Sequence, residues 1–247
     1  MIDIHCHLLW GMDDGSQSFE DTLSLCHTAV ENGIESIILT PHMLDLDTAD
    51  EFLICREENA RELRNVIEQQ HLPLQIHTGA EVFLNHKIYT ADCLDELTLA
   101  GSQYLLCEFP IPTFSRRQGI AYVQELLQQG YKVILAHPER YAVTYADPKF
   151  IPFLHSMGIF LQVNAASLAG KYGVEVQKMA ESLILKGLVD FIATDAHRPN
   201  WRSNRFNAYK ADFPPQISAH FLTWATEIAP RLVLQNMDIQ AEKKNFF

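Results

Sequence analysis

Seven short apolar runs recur along this 247-residue chain, and each is followed by a stretch with helical spacing. They cover residues 2–7, 36–42, 74–82, 104–109, 132–137, 160–164 and 191–197. Several are apolar almost without interruption, which suits strands buried on both faces, as parallel sheets demand. Alternating strand and helix therefore predicts an α/β architecture with parallel strands. Seven such units fit a distorted, TIM-like (β/α)7 barrel better than an open doubly wound sheet.

The connecting segments carry their own punctuation. Ser18-x-x-Asp21 resembles an N-terminal capping box with Asp in place of Glu, and Asn32-Gly33 closes that helix. Residues 52–70 read as a charged helix, 115–129 as one stopped by Gly130, and 174–186 as one stopped by Gly187. Asp147-Pro148 sets a cap before a proline at the first helical position, with Gly158 at the far end. The tail from Ile217 onward predicts one helix and an irregular end. No repeat, low-complexity tract or linker interrupts the pattern, so residues 1–247 are expected to form a single domain.

Composition removes several function classes. A formal net charge of −12 argues against a nucleic-acid surface, because phosphate backbones recruit Lys and Arg. No apolar run approaches the roughly 18 residues of a membrane-spanning helix. Met1-Ile2-Asp3-Ile4-His5 lacks the basic-then-apolar order of a signal peptide, so the cytoplasm is the expected location. Cys6, Cys26, Cys55, Cys93 and Cys107 form an odd set without CxxC spacing, which predicts reduced thiols rather than disulfides or a zinc knuckle.

The informative residues are the polar ones that end each apolar run. In chain order they are His5-Cys6-His7, Thr40-Pro41-His42, Gly79-Ala80-Glu81, Cys107-Glu108, Ala136-His137, Val163-Asn164 and Thr194-Asp195-Ala196-His197. The C-terminal ends of barrel strands are the rim where active sites assemble. One His or Glu at a strand end is commonly a hydrogen-bonded structural group. Seven ends in register are different, because uncompensated buried carboxylates and imidazoles cost several kcal/mol each. A polynuclear metal centre relieves that cost. His5 and His7, two apart on a strand, share one face while Cys6 takes the other. Histidine with carboxylates suits Mn, Fe or Zn rather than Ca. Three divalent cations would add +6 and bring −12 to −6.

Asp13-Asp14-Gly15 is a turn by composition, yet its position after the first strand lets one carboxylate reach the cluster. Arg140, Arg198, Arg202 and Arg205 follow strand ends on the same rim and together suggest anion binding. Phe83, Phe109, Phe114 and Tyr141 are candidates to flank an aromatic ring, although core packing accounts for them as well. His27, His71, His77, His86, His155 and His220 fall in helical or peripheral segments. Cys55 and Arg61 match the spacing of a cysteine-phosphatase loop, but the intervening Arg-Glu-Glu-Asn-Ala is acidic and helix-forming, which would raise the thiol pKa.

The ordered set Met1-Ile2-Asp3-Ile4-His5-x-His7, Asp13-Asp14-Gly15, Thr40-Pro41-His42, Gly79-Ala80-Glu81, Glu108-Phe109, Ala136-His137-x-Glu139-Arg140-Tyr141, Gln162-Val163-Asn164 and Asp195-x-His197 resembles the polymerase-and-histidinol-phosphatase (PHP) superfamily. Within it the chain resembles the bacterial tyrosine-protein phosphatases found with capsule and exopolysaccharide genes. The resemblance spans residues 1 to about 235. It implies two to three divalent ions, Mn before Fe or Zn. One would take His5, His7, Glu108 and Asp195; a second Glu81, Glu108 and His137; a third Asp14, His42 and His197. Arg140 and Arg202 would hold the phosphate, and His42 or His197 would assist the leaving phenolate. The loop Arg198-Pro199-Asn200-Trp201-Arg202-Ser203 departs from the Gly-Arg-Pro usual there, which leaves Arg202 and Arg205 as alternatives. The implied substrate is a tyrosine-phosphorylated protein, such as the tail of a bacterial tyrosine kinase. Histidinol-phosphate phosphatase is the nearest rival. A TatD-like deoxyribonuclease also starts with His-x-His but usually lacks the final Asp-x-His, and an amidohydrolase would want a lysine where Glu108 stands.

Overall fold

A computed structural model describes residues 1–110 and 115–246. The chain opens with β1 (Ile2–Cys6), α1 (Phe19–Glu31), β2 (Ser36–Leu39) and β3 (His42–Met43). It continues through α2 (Ala49–Gln69), β4 (Gln75–Thr78), β5 (Glu81–Phe83), the short α3 (Leu94–Leu97) and β6 (Tyr104–Glu108). Next come α4 (Arg116–Gln128), β7 (Lys132–Ala136), α5 (Ala142–Ala146), α6 (Phe150–Ser156), β8 (Phe160–Asn164) and α7 (Ala165–Leu168). The last third holds α8 (Val174–Leu185), β9 (Phe191–Ala193), α9 (Phe206–Ala211), α10 (Ala219–Thr223), α11 (Ala229–Leu234) and α12 (Ile239–Phe246).

Helix ends follow local chemistry. Ser18 Oγ accepts from Asp21 N at 3.2 Å and starts α1; Ser115 Oγ accepts from Gln118 N at 3.1 Å and starts α4. Each such cap contributes about 1 kcal/mol. At the end of α8, Gly187 turns left-handed (φ 70°), and Leu188 N reaches back to Leu183 O at 3.1 Å. α2 lays Ala60, Leu63 and Ile67 on a smaller core that also holds Cys6, Cys26, Ile37 and Leu39. The larger core gathers the inward faces of β5 to β9 with α4, α6, α8 and the C-terminal helices.

Every strand pair is parallel, in two sheets ordered β1-β2-β4 and β3-β5-β6-β7-β8-β9. The expected seven runs all carry strand, but two are split. The second breaks at Thr40-Pro41, where proline supplies no N–H, and the third at Gly79-Ala80. Main-chain bonds cross both breaks, from Gly79 N to Leu39 O at 2.9 Å and from Glu81 N to Pro41 O at 3.1 Å. A Cβ on Gly79 would lie 2.9 Å from Leu99 Cδ2 and 3.3 Å from Ile38 Cγ2, so the chain packs closely at the break. Beyond β9, Asp195 N donates to His5 O at 2.8 Å and His7 N to Ala196 O at 2.7 Å, bringing the last strand alongside the first.

The tail departs from expectation. α10 and α11 are joined by a π-helical turn (Trp224–Ile228), and the end predicted to be irregular is the helix α12. Asp238 Oδ1 accepts from Gln240 N at 2.8 Å and Ala241 N at 3.2 Å, capping it. Among the described residues, no helix is long and apolar enough to cross a membrane.

Candidate metal centre

The C-terminal strand ends converge. β1 supplies His5, with His7 just past its end; β3 supplies His42, β5 Glu81 and β6 Glu108; His137 directly follows β7, and Asp195 and His197 lie in the segment after β9. Cα pairing of His42 with Glu81 places those two side by side. Glu81 is the hub. Its Oε2 lies 3.3 Å from His5 Nε2, 3.3 Å from His7 Nε2 and 3.0 Å from His42 Nδ1, and its Oε1 lies 3.0 Å from His137 Nε2. Asp195 Oδ1 is 3.5 Å from both His5 and His7 Nε2. Asp14 Oδ1 is 3.4 Å from His197 Nε2 and 3.7 Å from His42 Nε2. Glu108 lies 3.6 Å from His137 and 3.8 Å from His42.

Four overlapping groups result, each with ligand atoms within 4.8 Å of one another: His7, Asp14, His42 and His197; His5, His7 and Glu81; His5, His137 and Asp195; His42, Glu81 and Glu108. All nine side chains expected to meet are thus brought together. Their grouping differs from the implied one, since Glu81 rather than Glu108 faces His5 and His7.

The donor set fits divalent cations. His5 Nδ1 donates to Gln162 Oε1 at 2.8 Å and His7 Nδ1 to Asp13 Oδ2 at 2.6 Å. Both Nε2 atoms then turn lone pairs towards each other, 3.1 Å apart. Glu81 is fully buried, yet its Oε2 has no hydrogen-bond partner among the described residues, and neither has His42 Nδ1 or His137 Nδ1. Facing lone pairs crowded around a buried carboxylate oxygen require positive charge between them. The field says the same. Burial alone would lower the imidazole of His5, but Glu81 and Asp195 raise it to about 9. Burial likewise opposes the rise of His42 to about 10, which Glu81 and Glu108 cause. Burial and the neighbouring Glu81 push Glu108 up to about 7, and burial takes His137 down to about 4. The raised imidazoles of His5 and His42 thus hold protons where cations would stand, and metal binding at such a site releases them.

Supporting residues hold these ligands in place. Asp13 also accepts from His42 N at 2.9 Å and Gly15 N at 2.8 Å. Gln162 Nε2 donates to Asn164 Oδ1 at 2.8 Å, and Asn164 Nδ2 donates to Asp195 Oδ2. Sequence reasoning quoted Gln162 and Asp13 but gave them no role. The available signal was the i, i+2 spacing of Gln162 and Asn164 on an apolar strand, the same spacing as His5 and His7. A Cβ on Gly15 would overlap the His7 carbonyl and lie 2.7 Å from His7 Cβ, so only glycine lets the Asp13-Asp14 loop close on β1. His137, Asp195 and Arg202 hold left-handed backbone at φ 33°, 52° and 53°. Glycine, which takes that conformation freely, has no side chain to offer there, and such strain concentrates at functional sites.

The cluster opens into a cavity of about 400 Å³ lined by Asp13, Asp14, Glu81, Glu108 and Asp195 and by the guanidiniums of Arg140 and Arg202. Arg140 Nη1 donates to Asp195 Oδ2 at 3.3 Å. Arg202 donates through Nη2 to the same oxygen and through Nη1 to His197 Nε2 at 3.0 Å. Arg198 instead ties down the carbonyls of Asp14 and Gly15, and Arg205 lines a neighbouring cavity.

A model of the family described as capsular polysaccharide synthesis, CpsB/CapC, matches residues 1–213. The chain belongs to this family. It is 31% identical over 215 residues to the tyrosine-protein phosphatase YwqE of Bacillus subtilis, covering 85% of this chain and 82% of that protein. With the tyrosine-protein phosphatase CpsB of Streptococcus pneumoniae it shares 30% identity over 210 residues, 80% of this chain and 83% of that protein. Among solved structures it superposes with TM-score 0.85 and 28% identity, over 97% of this chain and 96% of the other, on a chain from the work on YwqE and CpsB, described as metal-dependent tyrosine phosphatases. Histidinol phosphate phosphatase from Lactococcus lactis superposes with TM-score 0.52 at 14% identity, over 86% of this chain and 94% of that one, a likeness of fold alone.

In this CpsB/CapC chain the aromatic candidates are otherwise employed. Phe109 and Tyr141 are fully buried, and the Tyr141 hydroxyl donates to Ala136 O at 2.8 Å. Phe83 is half-buried, and Phe114 lies outside the described residues. The apolar residues of the cavity are Met12 and Leu44, and Leu44 is 58% exposed. Cys55 sits on the exposed side of α2, and its helical surroundings supply no anion-binding loop. His27, His71, His77, His86, His155 and His220 join none of the four groups.

Proposed function

We propose that this chain is a metal-dependent protein-tyrosine phosphatase acting on a tyrosine-phosphorylated protein of capsule or exopolysaccharide synthesis, such as a kinase tail. One observation carries the reading: nine ligand-type side chains, with the buried Glu81 carboxylate at their centre, open into a cavity that also holds two guanidiniums. Membership of the CpsB/CapC family and the names of its relatives support it.

We read the strands as a distorted seven-stranded barrel, in which β2 with β3 and β4 with β5 each count as one interrupted strand, and residues 1–247 as one domain in the cytoplasm. His5, His7, Asp14, His42, Glu81, Glu108, His137, Asp195 and His197 would hold two or three ions. The mixed imidazole and carboxylate set suits Mn first, with Fe and Zn compatible. When bound, such ions neutralise phosphoryl oxygens and acidify the attacking water. Arg140 and Arg202 grip the phosphate and stabilise its developing charge. A tyrosine phenolate, with a pKa of about 10 in its free form, needs little protonation on leaving. His42 or His197, beside Asp14, would assist that departure only where its ring is not committed to metal. Met12 and Leu44 offer the apolar wall for its ring.

The test is a panel of a phosphotyrosyl kinase-tail peptide, histidinol phosphate and single-stranded DNA, with manganese present. Release of phosphate chiefly from the peptide is the expected result. Preference for histidinol phosphate or cleavage of DNA would overturn the reading.

A further inference from the structure

We infer that a second anion-binding subsite adjoins the phosphate cavity and takes an acidic side chain flanking the phosphotyrosine of the substrate polypeptide. The inference rests on the phosphatase reading above and names what that site selects.

A cavity of about 390 Å³ lies against the metal cavity and shares Arg202 with it. Lys171, Trp201, Arg205, Tyr209 and Asp212 complete the wall that matters here. Lys171 pairs with Asp212 at 2.9 Å, so those charges offset each other. Arg202 is paired with Asp195, so Arg205 is left as the uncompensated positive charge of this wall, in a chain whose overall balance is −12. The exposed guanidinium of Arg205 makes no hydrogen bond or ion pair among the described residues, and Arg202 Nε is buried without a partner. An exposed guanidinium lining a concave pocket, with no partner of its own, is the recognition chemistry of a carboxylate.

The subsite is rigidly tied to the chemistry. Arg198 and Trp201 exchange main-chain bonds at 3.1 and 3.3 Å, and His197 N donates to Arg202 O at 2.8 Å. That hairpin holds Trp201 5.7 Å from the His197 ring, centroid to centroid, with the Arg202 guanidinium 5.3 Å from the indole. Trp201 is nevertheless 53% exposed. The exposed indole thus forms part of the wall of the second cavity, beside the shared Arg202. One guanidinium separates the two anion positions. An extended peptide advances roughly 3.3 Å per residue, so the acidic residue falls one to three positions from the phosphotyrosine.

The experiment measures kcat/KM with manganese for phosphotyrosyl peptides carrying Asp or Glu, Ala, or Lys at flanking positions, beside para-nitrophenyl phosphate. Wild type should prefer the acidic peptide over the alanine one by about tenfold, the scale of one charge-assisted hydrogen bond, and the preference should shrink with salt. Arg205→Ala should erase it, Arg205→Lys should keep part of it, and Arg205→Glu should favour the lysine peptide. All three should turn over para-nitrophenyl phosphate as wild type does. Equal turnover of acidic and alanine peptides by wild type would overturn the subsite alone. So would Arg205 variants that lower every substrate equally. Hydrolysis of para-nitrophenyl phosphate without any phosphotyrosyl peptide would overturn the protein-tyrosine substrate assignment and the subsite together.

Discussion

Asp13→Asn is the substitution that most sharply separates a residue that orients ligands from one that binds metal. Asp13 is almost fully buried, and its two oxygens serve three donors: His7 Nδ1 at 2.6 Å, His42 N at 2.9 Å and Gly15 N at 2.8 Å. Asparagine retains one acceptor oxygen. If that oxygen serves His7 and His42, the amide NH₂ is pressed against the N–H of Gly15. The charge-assisted bond to His7 also drops to a neutral one, a loss of about 1 kcal/mol, and the unmet Gly15 donor adds about 1–3 kcal/mol. Outer partners of metal-bound histidines typically change metal affinity about 10- to 100-fold, or about 1.4–2.7 kcal/mol, which falls in the same range. The assay is manganese activation of chelator-stripped enzyme, with a thermal melt of the same preparation. The activation midpoint should rise by about 10- to 100-fold, with turnover at saturating metal largely restored. An unchanged midpoint would refute the orienting role. A fully metallated but inactive variant would place Asp13 in the chemistry itself.

Arg140→Ala should cost on the order of 10²–10³ in kcat, with Arg140→Lys intermediate, because lysine keeps the charge and loses the fork. Metal analysis of the same preparations checks the rival role, since Arg140 also bonds Asp195: inactivity that tracks lost metal would mean it positions that ligand. Cys55→Ser should leave activity intact while His7→Ala removes it, as measured with para-nitrophenyl phosphate; a folded, metallated but dead Cys55→Ser enzyme would restore the thiol mechanism. Gly15→Ala should lower melting stability by about 1–3 kcal/mol through overpacking against His7 and reduce metal occupancy by displacing the Asp13-Asp14 loop, read by calorimetry and elemental analysis.

The barrel-like alternation and the nine clustered side chains were legible because a polar residue at the end of an apolar strand is conspicuous against its neighbours. His5 and His7 even declared their shared face through their spacing. What stayed hidden depends on distances that a pattern does not encode. Asp13 and Asp14 are identical neighbours, and only the fold turns one beneath His7 and leaves the other at the mouth. Glu81 is the central carboxylate because its register beside His42 sets it within reach of His5, His7 and His137 as well. Phe109 and Tyr141 were indistinguishable from ring-binding residues until their burial was known, whereas Leu44 gave no sign that it would stand exposed at the cavity. The helix α12 was readable in principle, since Asp238 precedes a run of good helix formers, but its short length concealed it.

Turnover should depend on bound metal. Protein stripped with chelator should lose turnover of a phosphotyrosyl peptide and regain it on adding manganese, with two to three ions per chain by elemental analysis of the reconstituted enzyme. Full turnover by protein shown by the same analysis to contain no transition metal would contradict it.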